Sequence, residues 1–290
     1  MDSRRFHPKS PVRFVDFVAS GVRTGAYLLA FCATPFLAFA QGGAQSTIGT
    51  GLNVPFGVAV DGAGNIYIAD SVNSRVVELP VGGGAQTTVG SGFVYPTGLA
   101  VDAAGDVFVT DRGSNQVVEI PAGGGAQGVI AASGLNTPSG LAVDSQGNIF
   151  IADTDNSRIV EVPAGGGSQI TVGTGFTHPM GVAVDSSGNL FVADTGAGQV
   201  VEVAAGGGPQ TVVPISGLKG PSGLTIDSKG NLFVADAGGS QVYEIPLAGG
   251  SQVSIAVNGL KYPSSVAVDA AGDIFVCDYG SSRVVEIAAN

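Results

Sequence analysis

Three features of the amino-acid sequence predict an all-β protein built as a six-bladed β-propeller of four-stranded antiparallel blades. One motif recurs six times after residue 41, in steps of 41 or 42 residues. Within each copy, apolar side chains alternate with polar ones, and clusters of glycine, aspartate, asparagine and serine separate the alternating stretches. Repeats of this length with a period of two are typical of propellers, in which each unit buries its apolar face against its neighbours.

The first strand of each copy ends at an aspartate that opens a turn of the pattern D-x-x-G-[ND]. These anchoring aspartates are Asp61, Asp102, Asp144, Asp185, Asp227 and Asp269. An aspartate at the start of a turn accepts hydrogen bonds from backbone amides two residues further on. We therefore predict a structural role for all six, and strands at residues 57–60, 66–69, 75–79 and 85–89 of the first copy.

The two ends of the repeat region complement each other. The last copy ends before its fourth strand, whereas residues 43–48 match the fourth-strand motif of residues 84–89. The N-terminal strand is therefore predicted to complete the last blade and to close the ring, which leaves no dangling edge strand.

Residues 1–40 have the features of a signal peptide. Five basic residues precede an uncharged apolar run, residues 26–40, which ends in Ala38-Phe39-Ala40. We expect cleavage after Ala40, a propeller domain at residues 41–290, and a secreted or periplasmic, extracytoplasmic location. The alternative is an uncleaved membrane anchor, although the run is shorter than the ~20 residues of a spanning helix and contains Pro35. The sequence leaves open whether export follows the general or the twin-arginine route.

Composition narrows the range of partners. The leader carries five of the 12 basic and two of the 23 acidic residues, so the remainder has a formal net charge of −14. A surface of that sign disfavours nucleic acid as a partner. Outside the leader Cys277 is the only cysteine, so no intrachain disulfide is expected. Cys277 occupies a repeat position mostly held by alanine, which predicts a small buried side chain.

Two further sets of carboxylates recur at fixed positions. The glutamates all lie on the third strand: Glu78, Glu119, Glu161, Glu202, Glu244 and Glu286. Because a catalytic residue is seldom needed six times, we interpret them as outward-facing positions that keep the blade soluble. The second aspartate of each copy ends the second strand: Asp70, Asp111, Asp153, Asp194, Asp236 and Asp278.

Five residues after this second aspartate comes arginine in blades one, three and six and glutamine in the others. An aspartate–arginine pair across the loop is expected in the arginine blades, and Arg112 is expected to compensate in blade two. Asp194 and Asp236 are then the least neutralised. Since hard cations prefer carboxylate and carbonyl oxygens, these two are candidate ligands of a divalent cation. The alternative is that each carboxylate is simply hydrogen-bonded to its loop.

Residues that vary between the copies cluster in the loops of one face. The loops that lead into the first strands and the loops after the second strands are predicted to share one rim, because antiparallel connections alternate between the two faces. Aromatic and cationic side chains there suit a protein, peptide or glycan ligand. The candidate binding residues are Phe56, Tyr95, Arg112, His178, Met180, Lys219, Lys261, Tyr262 and Tyr279. The alternative is that these residues reflect ordinary loop variation. His178 is the one histidine outside the leader and therefore the only ready general base near neutral pH.

The pattern P-x-G-[VL]-A-V-D-x-x-G-N-[IL]-[FY]-[IV]-A-D-x-x-N-[SN]-R-[IV]-V resembles the NHL repeat over essentially all of residues 41–290, most fully at residues 61–79 and 144–162. The stretch VDAAGDVFVTDRG, residues 101–113, is similar to units of the extracytoplasmic sensor propeller of bacterial receptor-type serine/threonine protein kinases. Because residues 1–290 carry no kinase motif, this resemblance implies a ligand-binding propeller and not a signalling enzyme.

Some enzymes also have related six-bladed rings, so the resemblance makes an enzymatic function an alternative. Amidating lyases and virginiamycin-type lyases depend on histidines, and the single histidine outside the leader cannot supply either site. Gluconolactonase-type enzymes hold a divalent metal with glutamate, asparagine and aspartate near the central channel, and here the glutamate is missing because all six glutamates lie on the third strands. The first hypothesis is therefore an exported, monomeric binding module at the cell envelope without a cofactor. Its membrane contact is limited to an uncleaved leader. The alternative is a metal-assisted hydrolase or lyase centred on Asp194, Asp236 and His178.

Overall fold

The computed structural model describes residues 43–289 and the backbone of residues 38–40. The predicted leader therefore lies outside the described residues except for its last three positions. Six antiparallel blades of four strands each confirm the predicted fold class.

In blades one to five the chain runs from the innermost to the outermost strand, and blade six takes its outermost strand from residues before blade one. Blade one consists of β3 (Pro55–Val60), β4 (Ile66–Asp70), β5 (Arg75–Leu79) and β6 (Thr87–Val89). Blade two consists of β7 (Pro96–Val101), β8 (Val107–Asp111), β9 (Gln116–Ile120) and β10 (Gly128–Val129). Blade three consists of β11 (Pro138–Val143), β12 (Ile149–Asp153), β13 (Arg158–Val162) and β14 (Ile170–Val172).

The remaining blades repeat this plan. Blade four consists of β15 (Pro179–Val184), β16 (Leu190–Asp194), β17 (Gln199–Val203) and β18 (Gln210–Val212). Blade five consists of β19 (Pro221–Ile226), β20 (Asn231–Asp236), β21 (Gln241–Pro246) and β22 (Val253–Ile255), with β1 (Ala38–Ala40) added at its edge. Blade six consists of β23 (Pro263–Val268), β24 (Ile274–Asp278), β25 (Arg283–Ile287) and β2 (Gln45–Ile48). Short 3-10 turns follow the second strands of blades one, three and six: η1 (Ser71–Asn73), η2 (Thr154–Asn156) and η3 (Tyr279–Ser281).

Strand β2 closes the ring as predicted. It pairs antiparallel with β25, from Gln45 opposite Ile287 to Ile48 opposite Val284. The blade that ends the repeat region thus obtains its outermost strand from residues that precede blade one. Such closure leaves no blade without its fourth strand.

Strand β1 was not predicted. It pairs in parallel with β22, from Ala38 opposite Val253 to Ala40 opposite Ile255. Two of the three β22 residues, Ser254 and Ile255, are buried, whereas the outermost strand of blade four is exposed throughout. Strand β1 lies within the predicted leader, so a chain cleaved after Ala40 would lack it and β22 would be the edge of blade five.

The core lies between the blades rather than within any one of them. One cluster joins Ala69 and Val76 of blade one to Val109 of blade two and to Phe93 in the loop between them. Equivalent clusters join the other neighbouring blades. A single blade has only one sheet and cannot bury both of its faces. Each blade therefore depends on its two neighbours for a hydrophobic core.

In blades one to five the innermost strand carries glycine where it comes closest to the next blade, and in blade six Ser265 takes this position and accepts from the Val58 amide. A Cβ atom on Gly140 would lie 2.6 Å from the carbonyl oxygen of Met180 in the next blade. Glycine at this position therefore permits a narrow central channel, with a volume of about 290 Å³, lined by the six innermost strands.

A glutamine at the start of each outermost strand fastens that strand to the loop that leads into a blade. In blade one, the Gln86 side chain accepts from the backbone amide of Thr50 at 2.8 Å and donates to its carbonyl at 3.1 Å. In blade six, Gln45 bonds the amide of Asn258 and the carbonyl of Ala256. Each clasp satisfies two backbone groups at once, so these glutamines stabilise the junctions between blades.

Within residues 38–40 and 43–289 there is no helix of the length and apolarity needed to span a bilayer.

Candidate functional site

The upper rim is the face on which the first strands begin and the second strands end. Pro55, at the start of β3, lies opposite Asp70, at the end of β4, and the same pairing recurs in every blade. The predicted placement of both groups of loops on one face is therefore confirmed. Hydrogen bonds join these loops, as when the Arg112 amide donates to the Tyr95 carbonyl at 3.0 Å.

The six aspartates that end the second strands are fully buried. In blade one, Asp70 Oδ1 accepts from the Asn53 amide at 2.7 Å, and Oδ2 accepts from Asn73 Nδ2 and Arg75 Nε at 2.8 and 2.7 Å. Burying a carboxylate is costly unless it is paired and hydrogen-bonded, and these three donors meet that demand.

The predicted aspartate–arginine pairs form in blades one, three and six. Their Nε to Oδ2 distances are 2.7, 2.6 and 3.0 Å. We call this arrangement the latch; its pairs are Asp70–Arg75, Asp153–Arg158 and Asp278–Arg283. Each latch arginine also donates through Nη2 to the carbonyl of a glycine in the leading loop, namely Gly51, Gly134 and Gly259.

Blade two uses a different set of donors, and the prediction that Arg112 compensates there is wrong. Asp111 accepts from the amides of Val94 and Tyr95 at 3.0 and 2.7 Å and from Ser114 Oγ at 2.6 Å. Among the described residues no ion pair joins Arg112 to Asp111. Three neutral donors from the loops replace the guanidinium, so the Arg112 side chain is available to other groups on the rim.

The two candidate metal ligands have different surroundings. Asp236 accepts from the Gly220 amide at 2.7 Å and from the Lys219 amide at 3.2 Å through both oxygens. Asp194 accepts from the Thr177 amide at 2.9 Å through Oδ1, but its Oδ2 is buried without a hydrogen-bond partner. Within the described part of the chain, no three His, Cys, Asp or Glu side chains converge on a common point.

Aromatic residues gather on the half of the rim formed by blades six, one and two. Phe56 and Tyr279 make an edge-to-face contact, with ring centroids 5.9 Å apart and planes at 83°. Burial raises the pKa of Tyr95, the nearby Tyr279 raises it further, and the Arg112 charge lowers it, so these three side chains lie within electrostatic range of one another. We call Phe56, Tyr95, Tyr262 and Tyr279 the aromatic sector.

The other proposed binding residues lie elsewhere around the rim. His178 Nδ1 lies 3.9 Å from Asp155 Oδ1, and both side chains are well exposed. Met180 is partly exposed at the channel mouth, whereas Lys219 and Lys261 are exposed beside the aspartates to which their backbone amides donate. The structure therefore does not gather the nine residues into one patch.

Hydroxyl groups at the channel mouth tie each blade to the next, a feature that the sequence analysis missed. Ser222 Oγ donates to the Pro263 carbonyl and Ser264 Oγ donates to the Phe56 carbonyl, both at 2.8 Å. Thr97 and Thr110 bond in the same way to the Ser139 carbonyl. The available signal was a small polar residue after the first proline of blades two, three, five and six, but only the ring reveals the hydrogen-bond partners.

The turn aspartate Asp61 and the buried Cys277 have structural roles. Asp61 Oδ1 accepts from the amides of Ala63 and Asn65 at 2.9 and 2.8 Å, which confirms the predicted turn caps. Cys277 is fully buried, as predicted, and burial followed by the charge of Asp278 raises the pKa of its thiol. A buried neutral thiol is a poor nucleophile, so Cys277 has a packing role.

Fold and rim together define a closed six-bladed β-propeller whose blades differ mainly in the loops of one face. The NHL repeat family model matches residues 52–79, 93–120, 135–161, 176–202 and 260–287. The chain is therefore an NHL-repeat protein. Blade five is the copy that the family model does not match, although its strands and buried aspartate follow the same plan.

Solved structures share this fold at low sequence identity. A gluconolactonase from Xanthomonas campestris superposes with a TM-score of 0.72 at 18% identity, covering 84% of this chain and 89% of its own. A chain from a nidogen/laminin complex has a TM-score of 0.68 at 22% identity, covering 77% and 89%. Virginiamycin B lyase from Staphylococcus aureus has a TM-score of 0.65 at 16% identity, covering 85% of each chain. Comparison with curated proteins gives no match.

Proposed function

We propose that this NHL-repeat propeller is an exported binding module whose ligand is a protein, peptide or glycan of the cell envelope. The ligand contacts the upper rim, chiefly through the aromatic sector, with Arg112 and Lys261 beside it. The outlying positions His178, Met180 and Lys219 serve larger ligands that extend across the channel mouth. The module works as a monomer and without a resident cofactor.

The aromatic sector is the observation that carries this proposal. Tyr262 and Tyr279 are 62% and 39% exposed, and Phe56 holds Tyr279 by its edge contact. Exposed aromatic rings with few rotatable bonds are typical anchors of interfaces, because they bury a large area at a small entropy cost. The hydroxyls at the channel mouth, by contrast, are engaged between blades and leave few polar groups free to act on a substrate.

A comparison supports this type of function without identifying the ligand. A chain of the nidogen/laminin complex has the same fold, so a propeller of this plan is found in a protein assembly. The acidic net charge of the chain favours ligands that are neutral or basic over those that are acidic.

The test is capture of ligands from the source cell envelope and from peptide and glycan arrays. Tyr95→Ala combined with Tyr262→Ala is expected to lower recovery at least tenfold, since aromatic anchors dominate such interfaces. The matched control is Val129→Ala combined with Ile170→Ala, which removes exposed apolar side chains from outermost strands. Equal recovery by both double variants would overturn the proposal.

Export is tested separately by the mass of the protein recovered from the periplasm or the medium. A chain that begins at Gln41 supports cleavage after Ala40. A full-length chain confined to the cytoplasm would contradict the proposed location while leaving the binding surface untouched.

The second candidate function is a metal-assisted hydrolase or lyase. It is supported by the fold that the chain shares with a gluconolactonase and a lyase, and by the unpartnered oxygen of Asp194. A stoichiometric divalent ion lost in Asp194→Asn, together with turnover of a lactone that His178→Ala abolishes, would favour it over the binding module.

A further inference from the structure

Blade four contains a buried carboxylate oxygen that has no hydrogen-bond donor. Asp194 is fully buried, and its Oδ2 atom has no hydrogen bond to any described residue. Leaving a buried charged acceptor unsatisfied is costly, so such an atom in a native fold calls for an explanation. Its equivalents in the other blades provide one.

In the latch blades, the equivalent oxygen holds an arginine guanidinium. Arg75 Nε lies 2.7 Å from Asp70 Oδ2, and its Nη2 lies 3.2 Å from the Gly51 carbonyl oxygen. Arg158 repeats this geometry at 2.6 and 3.1 Å, with Asp153 and Gly134. A carboxylate and a carbonyl at this spacing therefore form a guanidinium site that the fold builds repeatedly.

Blade four keeps both acceptors of that site and lacks the donors. Asp194 and Gly175 occupy the positions of Asp70 and Gly51, but Gln199 stands where the latch has arginine and Ala197 where blades one and three have asparagine. The replacements remove the side chains that would reach Oδ2.

No atom of blade four takes the place of the guanidinium Nη2 atom beside the glycine of the leading loop. A Cβ atom on the latch glycines would lie 3.9, 3.8 and 3.7 Å from the guanidinium Nη2 atoms of blades one, three and six. On Gly175 it would meet nothing within 4 Å. Gly175 and Ala197 are exposed and Gln199 is partly exposed, so the residues that stand in the latch positions of blade four reach the solvent.

In the other glutamine blades, both oxygens of the equivalent aspartate have donors. In blade two Ser114 and two backbone amides satisfy both oxygens of Asp111. In blade five the amides of Lys219 and Gly220 satisfy Asp236. Asp194 is the one aspartate of this set, among the described blades, with a buried oxygen that nothing satisfies.

We propose that Asp194 Oδ2 and the Gly175 carbonyl oxygen form a binding site for the guanidinium group of an arginine side chain supplied by a peptide or protein. We call it the blade-four socket. The incoming group donates to the two acceptors as the latch arginines do, and Gln199 swings aside. A guanidinium suits the site better than a metal ion, because a hard cation such as Ca²⁺ takes six or more oxygen ligands and, among the described residues, Asp194 belongs to no group of three His, Cys, Asp or Glu side chains.

This site lies in blade four and is independent of the aromatic sector in blades six, one and two. An arginine held there can be part of the same ligand or of a different one. Binding of arginine at blade four therefore does not depend on ligand binding by the aromatic sector.

The test measures binding of acetyl-arginine amide to the full chain by calorimetry and by the shift in melting temperature. Acetyl-citrulline amide, which has the same shape without the charge, and acetyl-lysine amide are the comparison ligands. Methylguanidinium separates binding of the bare group from binding of an arginine residue. We expect saturable binding of the arginine compound at least tenfold tighter than that of either comparison ligand.

Two variants locate the site. Asp194→Asn is expected to weaken arginine binding at least tenfold. Because that variant can also disturb folding, the second variant is Gln199→Arg combined with Ala197→Asn, which rebuilds the latch inside the chain. It is expected to raise the melting temperature and to abolish arginine binding. Gln116→Arg in blade two, where Asp111 already has its donors, is the matched control and leaves arginine binding unchanged.

Three results would overturn the proposal. The first is equal affinity for the arginine and citrulline compounds, and the second is undiminished arginine binding by the Gln199→Arg, Ala197→Asn variant. The third is a calcium ion bound at Asp194 in a protein whose melting temperature does not respond to arginine.

Discussion

At the scale of single residues, the molecule is organised by carboxylates that the fold buries and then neutralises. The second-strand aspartates are fully buried, and in the latch blades each accepts hydrogen bonds from one loop amide and one guanidinium. These contacts join the loop that leads into a blade to the start of its third strand. The latch therefore stabilises the rim loops that carry the variable residues.

The first prediction concerns the latch of blade three. Arg158→Ala leaves Asp153 with its amide donors only and is expected to lower the free energy of unfolding by about 2–3 kcal/mol, since an uncompensated buried charge is costly. Chemical denaturation measures the change. Gln116→Ala, at the same repeat position in blade two, is the control and is expected to change stability by less than about 0.5 kcal/mol. Equal effects of the two substitutions would show that the ion pair contributes nothing.

A second prediction concerns alkaline pH and Tyr67. Burial, followed by the charges of Glu78 and Asp61, raises the pKa of the Tyr67 phenol from 10.0 to about 12. Below pH 10 the group is protonated in both the folded and the unfolded chain. Between pH 10 and 12 the unfolded chain loses this proton first, so the contribution to stability is lost as the pH rises through that window.

Tyr67→Phe removes the titrating group and is expected to reduce the loss of stability between pH 10 and 12. Denaturation midpoints at several pH values, with ultraviolet absorbance to follow phenol ionisation, measure it. An identical pH profile in wild type and variant would contradict the assignment.

At the scale of strands and blades, closure depends on a short segment. Strand β2 has four residues, but it pairs along its whole length with β25 and carries Gln45, whose side chain clasps the loop at residues 256–258. The same clasp occurs between Gln86 of blade one and Thr50 in the loop that leads from blade six into blade one. Ring closure thus combines a strand pairing with a junction that every blade uses.

Deleting residues 41–49 is the third prediction. It exposes the β25 edge and removes the sixth clasp, so we expect the melting temperature to fall by at least about 5 °C relative to a chain that begins at Gln41. Hydrogen exchange localises the change, with faster exchange expected in β25 and little change in blade three. An unaltered melting temperature would refute the role of β2 in closure.

At the scale of the whole molecule, the ring presents two different surfaces on one face. The aromatic sector of blades six, one and two offers exposed apolar rings, whereas blade four offers a buried acceptor that its own side chains leave unpaired. The fold is shared with enzymes and with a chain of a protein complex at less than 25% identity, so the loops and not the fold determine what this propeller does.

Much of this architecture could be predicted because it is local and periodic. The alternation of apolar residues indicated the strands, the spacing of Asp61 and its equivalents gave the number of blades, and the fourth-strand motif at residues 43–48 predicted closure. The aspartate–arginine latch was also predictable, since its two members lie five residues apart on either side of one loop.

Features that join different blades could not be read in the same way. Gln86 bonds Thr50, 36 residues away, and Phe56 contacts the ring of Tyr279; nothing in the periodicity identifies these partners. The error over Arg112 has the same origin: loop amides and Ser114, not the next charged residue, satisfy Asp111.

The sequence by itself therefore determined the repeat, the strands, the turn caps and the closed ring, because each depends on side chains a few residues apart or on counting. Only the tertiary structure decided which buried carboxylates are neutralised, which aromatic rings meet on the rim and why Asp194 keeps a free oxygen. Those outcomes depend on contacts between loops: loop donors satisfy the aspartates of blades two and five beside their glutamines, whereas in blade four Asp194 Oδ2 stays unpaired.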